Sequence, residues 1–285
     1  MKALIFGSKG QLGRGLAATA PQGSQLVQHD VDTLDITDAD AVGRAVKDAA
    51  PDIVFNAAAY TAVDRAEDEE ALAQAVNGDA VGHIAQAARG AGARFVHVST
   101  DFVFDGTASR PYAPEAAPSP ISAYGRTKLA GERLASNDAL IVRTAWVYAP
   151  EGGNFVRTML RLMGEREELG VVADQIGTPT YAPDLAAALW DLADKRVTGV
   201  HHYTDSGVAS WYDFAFAIQE EALAIGLLSR AIPIAPIATS AYPTPAKRPH
   251  YSVLDKTSTI AALGRTPPHW RVNLRKMLNE IKTNG

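Results

Sequence analysis

The chain has 285 residues, 47% hydrophobic and 21% charged, with a net charge of −5, the balance of a globular protein able to bury a sizeable core. No apolar run reaches the ~18–20 residues of a membrane span, no basic block marks a nucleic-acid surface, and no charged segment leads into an apolar stretch and cleavage site. The lack of cysteine excludes disulfides, thiolate metal sites and thiol catalysis, and it suits a cytoplasmic protein.

Lys2–Phe6 is a short apolar run ending at Gly7, the profile of a strand covered on both faces. Leu26–His29, Ile53–Phe55, Phe95–Val98 and Ala139–Val142 repeat it. Between them lie segments with helical spacing, Ala39–Ala49 and the long, Ala-rich Glu67–Ala91. Strand, helix, strand at this spacing predicts βαβ units and an α/β fold with a doubly wound parallel sheet. After about residue 150 the rhythm changes. Asn154–Glu167, Ala182–Asp194 and Ser210–Ile225 read as helices, the last with Ser210 as N-cap. Ile232–Pro249 carries five prolines and is expected to be an ordered loop, because proline removes a donor and fixes φ. Val272–Ile281 reads as a terminal amphipathic helix. Residues 1–150 are therefore expected to form a Rossmann-like domain and 151–285 a smaller substrate domain, with a return to the sheet near 182–203.

Gly7-Ser8-Lys9-Gly10-Gln11-Leu12-Gly13 follows the first strand and opens a helix. Its GxxGxxG spacing is a variant of the dinucleotide fingerprint. Gly7 permits the tight turn, Gly10 lets backbone N–H groups approach a pyrophosphate, and Gly13 permits close helix–strand packing, while the helix N-terminus favours the negative charge. Asp30 closes the second strand, where an acidic residue takes ribose hydroxyls in NAD-binding proteins. The alternative is that Asp30 and Asp32 are solvated loop residues, and both readings stand. Asp35 and Ile36 follow, in the same crevice. Lys9 and Arg14 are within reach of a 2′-phosphate, so NADH and NADPH both remain candidates.

Tyr124 and Lys128 are spaced YxxxK, one helical turn apart on one face. A nearby ammonium favours phenolate, so the expectation is a Tyr124 with a lowered pKa that acts as general acid for a carbonyl under reduction. Ser99-Thr100-Asp101 follows the fourth predicted strand, at the carboxyl end of the sheet where open α/β folds bind ligands. A hydroxyl there can stabilise a substrate oxygen as it gains charge.

Longer stretches are more specific: Asn56–Arg65 (NAAAYTAVDR), Ser99–Phe104 (STDFVF), Tyr124–Glu132 (YGRTKLAGE), Arg143–Tyr148 (RTAWVY), Asp174–Thr180 (DQIGTPT) and Ala241–Pro249 (AYPTPAKRP). With the glycine loop they resemble, over essentially the whole chain, the dTDP-4-dehydrorhamnose reductase family of the extended short-chain dehydrogenase/reductase superfamily. The resemblance implies reduction of the 4-keto group of dTDP-4-dehydro-β-L-rhamnose by NADPH or NADH. It implies that Tyr124 donates the proton, that Lys128 tunes it and holds the nicotinamide ribose, and that Thr100 polarises the keto oxygen. Thr100 and Asp101 would contact the sugar. Gly10, Gln11 and Leu12 would take the pyrophosphate, Asp30, Asp35 and Ile36 the adenosine end, and Ala59 and Thr61 would line the cleft. Trp146 matches an aromatic residue beside the sugar, with core packing as its alternative. Asn154, Gln175, Thr180, Arg248 and Ser252 are candidates for the nucleotide diphosphate, Arg248 having loop anchoring as its alternative.

The resemblance also implies, for some members, a magnesium-linked dimer held partly by a glutamate in the first helix. Gly15 stands at the matching position, so no metal is expected and a monomer or weak homodimer is. A sugar dehydratase would follow the threonine with Asp-Glu, and here Phe102 follows Asp101. Two alternatives stay open: another nucleotide-sugar reductase or epimerase, and a non-catalytic NAD(P)-binding subunit like the regulatory subunit of methionine adenosyltransferase.

Overall fold

Ala3, Leu4, Ile5 and Phe6 are all fully buried, as a strand with helices on both faces requires. In the computed structural model, which describes residues 1–284, this run is β1 (Lys2–Phe6). It is joined by β2 (Gln25–His29), β3 (Ile53–Asn56), β4 (Arg94–Thr100), β5 (Leu140–Thr144) and β6 (Gly199–His202). The six strands form one parallel sheet in the order β2-β1-β3-β4-β5-β6.

The helices are α1 (Gln11–Ala18), α2 (Ala39–Ala49), α3 (Glu70–Gln74), α4 (Ala80–Gly90), α5 (Ala123–Leu134), α6 (Phe155–Glu165), α7 (Ala182–Asp194), α8 (Trp211–Ala224), α9 (Thr257–Leu263) and α10 (Trp270–Asn284). α1 and α7 cover one face of the sheet, where Leu12, Leu16, Leu185 and Leu189 meet Ile5, Phe55 and Val142. α2 and α4 cover the other, where Val42, Val46 and Ile84 meet Leu4, Phe6 and Val54. A Cβ on Gly15 would lie 3.2 Å from both the Ala182 carbonyl oxygen and the Ala186 side chain, so the close α1–α7 crossing accounts for that glycine. Past the sheet, α6, α8 and α10 close a second core around Tyr148, Met159, Phe214 and Leu274.

Two expectations from the sequence need correction. The long helix expected over Glu67–Ala91 starts later and is not uniformly α: a 3₁₀ turn (Arg65–Glu67) precedes α3, and a π turn (Ala75–Asp79) joins α3 to α4 without a break in the helical backbone. The π turn aims buried Asn77 at Tyr60, accepting its N–H at 2.9 Å and donating to its carbonyl at 3.1 Å. Long-range bonds to the loop after β3 thus override local periodicity. The proline-rich stretch is not all loop either. Ile234–Ile237 is a strand pairing in parallel with Leu169–Val172; as one of a pair it tolerates the missing donor of Pro236.

Candidate active site

From β1 the chain crosses one way to β2 and then back past β1 to β3, so the connections diverge at the carboxyl ends of β1 and β3 and leave a crevice there. The crevice is a cleft of about 750 Å³. Gly7, Gly10, Gln11, Leu12, Asp30, Asp35, Ile36, Ala59, Thr61, Tyr124 and Lys128 all line it. Gly13 does not, and its role is steric: a Cβ there would lie 2.1 Å from the Gly7 carbonyl oxygen. Gly7 has φ +77°, and a Cβ on it would meet Ala58 N at 2.5 Å. The glycines therefore let the β1–α1 turn run against the loop after β3. Gly10 caps α1 without a side chain, leaving the first backbone N–H groups of the helix for a ligand phosphate. This cradle suits a dinucleotide.

At its far end, the Asp30 carboxylate accepts from the Lys9 and Val31 backbone N–H groups at 2.7 and 2.9 Å, pinning β2 to the glycine loop. Asp32 pairs with the Lys9 ammonium, which holds its carboxyl below the usual range. Asp35 is lowered too, by hydrogen bonds from the Thr37 backbone N–H and hydroxyl.

The reactive end is built by one close contact. A Cβ on Gly125 would lie 2.2 Å from the Phe102 carbonyl oxygen, so only glycine lets α5 press against the turn after β4. Ser122 caps α5 by accepting from Gly125 N. Tyr124 then stands edge-on to Phe102, with ring centres 5.5 Å apart. Thr100 accepts from Phe102 N at 3.2 Å and donates to Asp101 Oδ1 at 3.0 Å. Among the described residues, Asp101 Oδ2 is buried without a hydrogen-bond partner, and burial pushes this carboxyl up to about 6.

Burial also pushes the Tyr124 phenol up to about 12, with the Asp101 charge adding to it and the Thr100 hydroxyl pulling the other way. The expected lowering of the phenol by Lys128 is therefore not found in the free chain. Lys128 is itself only 2% exposed; its ammonium donates to the Val98 carbonyl at 2.7 Å, and burial brings it down to about 8 against the raising influence of Glu132. Glu132 belongs to a buried group that the sequence reading missed. Arg143 clasps it through Nε at 2.9 Å and Nη2 at 2.7 Å, and Ser99 donates to the same carboxylate. The group ties α5 to the ends of β4 and β5, just behind Thr100 and Tyr124.

The residues expected on the substrate side are less concentrated. Trp146 follows β5 with its indole stacked on Trp211. Asn154 caps α6 and donates to Gln11 Oε1 at 2.9 Å and the Ala149 carbonyl at 2.8 Å, tying its loop to the glycine loop. Gln175 is buried and donates to Thr239. Arg248 grips Asp64 with both arms, at 3.0 and 2.8 Å, so in the free chain it anchors the 241–249 loop to the loop after β3. Thr180 and Ser252 are buried. Among the described residues, no group of three or more His, Asp or Glu is arranged to hold a metal, and no helix is long and apolar enough to cross a membrane.

The RmlD substrate binding domain family model matches residues 1–283. The dTDP-4-dehydrorhamnose reductase of Burkholderia thailandensis is 46% identical, over 95% of this chain and 96% of that protein. Among solved structures, a dTDP-4-dehydrorhamnose reductase of Clostridium acetobutylicum superposes with a TM-score of 0.93 at 38% identity, covering 99% of this chain and 100% of that one. That of Bacillus anthracis in complex with NADP gives 0.92 at 36% identity, covering 98% and 99%.

Proposed function

The chain belongs to the RmlD substrate binding domain family, and from that membership together with its site we propose that it reduces the 4-keto group of dTDP-4-dehydro-β-L-rhamnose with NADPH or NADH, giving dTDP-L-rhamnose. The observation that carries this reading is the contact of Gly125 with Phe102, which sets the Tyr124 ring against Phe102, in the turn that follows Thr100, with Tyr124 and Lys128 lining the same cleft as the glycine loop. The same reading takes the chain as a cytoplasmic enzyme, working as a monomer or weak homodimer on a diffusible nucleotide-sugar.

The reduced nicotinamide supplies the hydride. Gly7, Gly10, Gln11 and Leu12 bind the pyrophosphate, Asp30, Asp35 and Ile36 the adenosine end, and Ala59 and Thr61 wall the cleft. Lys128 binds the nicotinamide ribose. Tyr124, whose raised pKa keeps it protonated at neutral pH, gives its phenolic proton to the keto oxygen as charge develops there. The Thr100 hydroxyl turns from Asp101 to donate to the same oxygen. Asp101 and Trp146 contact the sugar. Asn154, Gln175 and Arg248 hold the surrounding loops. An epimerase or dehydratase reading needs a further base, and Phe102 stands where a dehydratase carries its glutamate.

Consumption of reduced cofactor in the presence of the 4-keto sugar nucleotide tests the reading. Turnover supports it. Cofactor binding without turnover would favour the regulatory-subunit alternative.

Lys128 adds a pH dependence whose two signs differ. Its folded pKa, about 8, lies below the value of about 10.4 for a free lysine, so in that window the unfolded chain binds more protons. Stability contributed by this group therefore rises with pH across the window, while the charged ammonium is lost. We expect kcat/KM for the cofactor, which reports the free enzyme, to fall above about pH 8 as the unfolding free energy of wild type relative to Lys128→Met rises. Parallel loss of activity and relative stability would show that the alkaline limb is unfolding.

A further inference from the structure

Among the described residues, three other than glycine have positive φ: Ala50, Trp146 and Arg196. Ala50 is the C-cap of α2 and Arg196 lies just past α7, where left-handed backbone is ordinary. Trp146, at φ +48°, is at the carboxyl edge of the sheet instead. A bulky residue keeps that conformation only where its surroundings impose it, and such outliers gather at functional sites.

Several contacts impose it here. The Trp146 indole lies flat on Trp211, with centroids 3.6 Å apart and planes 12° apart. A Cβ on Gly177 would come within 2.8 Å of the indole, so Gly177 is the floor of the slot. The Trp146 carbonyl accepts from Thr180 N at 3.1 Å. Trp211 owes its place to the segment before it. Ala209 and Ser210 pair antiparallel with Gly177 and Ile176, and Ser210 with Asp213 forms a capping box that starts α8 at Trp211. Phe155 backs Trp211 at 4.6 Å. On the other side of the peptide, Thr144 and Val147 line the cofactor cleft.

We propose that Trp211 is a positioning residue: it holds the Trp146 indole in its slot, fixing the wall against which the keto sugar is oriented, and takes no part in holding the cofactor. The proposal rests on the sugar-side reading of Trp146. Trp211 reaches the chemistry only through Trp146, so its loss raises the KM for the sugar and leaves the cofactor Kd unmoved.

Two stacked indoles couple their transitions, giving an exciton pair in the circular dichroism spectrum. Trp190, which donates to the Leu16 carbonyl beneath α1, is the control, and Trp190→Phe keeps the signal. Trp211→Leu should abolish the exciton pair and raise the KM for the 4-keto sugar nucleotide by roughly tenfold to a hundredfold, with the cofactor Kd within about twofold of wild type; Trp211→Phe, which preserves a flat partner, should restore most of the KM. Gly177→Ala, which crowds the Trp146 indole directly, should raise the same KM with Trp211 in place; if Trp211→Leu fails to fold, Trp211→Met, which keeps bulk but offers no flat partner, decides the matter by the same pair of readouts. Loss of the exciton pair with an unchanged sugar KM, while Trp146→Ala raises it, overturns the proposal and leaves the reading of Trp146 intact. An unchanged KM in Trp146→Ala as well overturns both.

Discussion

Tyr124→Phe should lower kcat by roughly 10²–10⁴-fold, about 3–5 kcal/mol of barrier, and leave cofactor binding in place. Phenylalanine keeps the ring that stands edge-on to Phe102 at 5.5 Å, so α5 keeps its seat and only the hydroxyl is lost. Burial holds that hydroxyl protonated, with a pKa pushed up to about 12. This disfavours a phenolate resting state and favours a donor, the role that reduction of a ketone demands. Because the lost interaction forms as the keto oxygen gains charge, kcat and kcat/KM should fall together. A variant with near-wild-type kcat, under conditions where hydride transfer limits the rate, would remove Tyr124 from the mechanism.

Arg143→Met should cost about 3–5 kcal/mol of folding stability, because it leaves a buried carboxylate without its partner. Glu132 and Arg143 have side chains only 5% and 4% exposed, and the guanidinium also lies over the Phe104 ring at 5.1 Å. Replacing both with methionine should be close to neutral, since well-packed apolar residues often match a buried pair in stability. Denaturant unfolding of Arg143→Met, of Glu132→Met and of the double variant measures this, with the double recovering most of the loss. Arg143→Met as stable as wild type would mean that water or a rearranged side chain reaches Glu132. If the double variant folds yet turns over slowly, the pair is needed to align Thr100 with Tyr124 and not merely to hold the fold.

The parts of the fold that were legible in the sequence are those written locally. β1 is a continuous apolar run ending in glycine, and Ala39–Ala49 carries its own helical period, so the expected α2 coincides with the observed helix. What escaped depends on partners far away in the chain. Asn77 sits on a π turn within a continuous helical stretch and reaches Tyr60, and Ile234–Ile237 becomes a strand because Leu169–Val172 offers it an edge. Arg248 finds its carboxylate 184 residues away at Asp64, and Trp146 meets Trp211 only because both loops return to one corner. For the candidate site, residue types and order were readable in YxxxK and Ser99-Thr100-Asp101, but burial was not. Hence the direction of the Tyr124 pKa and the Glu132–Arg143 clasp beside Lys128 needed the structure.

The proposed reaction delivers a single hydride to C4 and a single proton to its oxygen. Cofactor deuterated on the transferred face, incubated with the enzyme and the 4-keto sugar nucleotide, tests it most directly. Deuterium is expected at sugar C4 alone, and in deuterated water with ordinary cofactor no incorporation is expected at C3 or C5 beyond that of substrate kept without enzyme. Enzyme-dependent deuterium at C5 would reveal a second base and move the chain to epimerase chemistry.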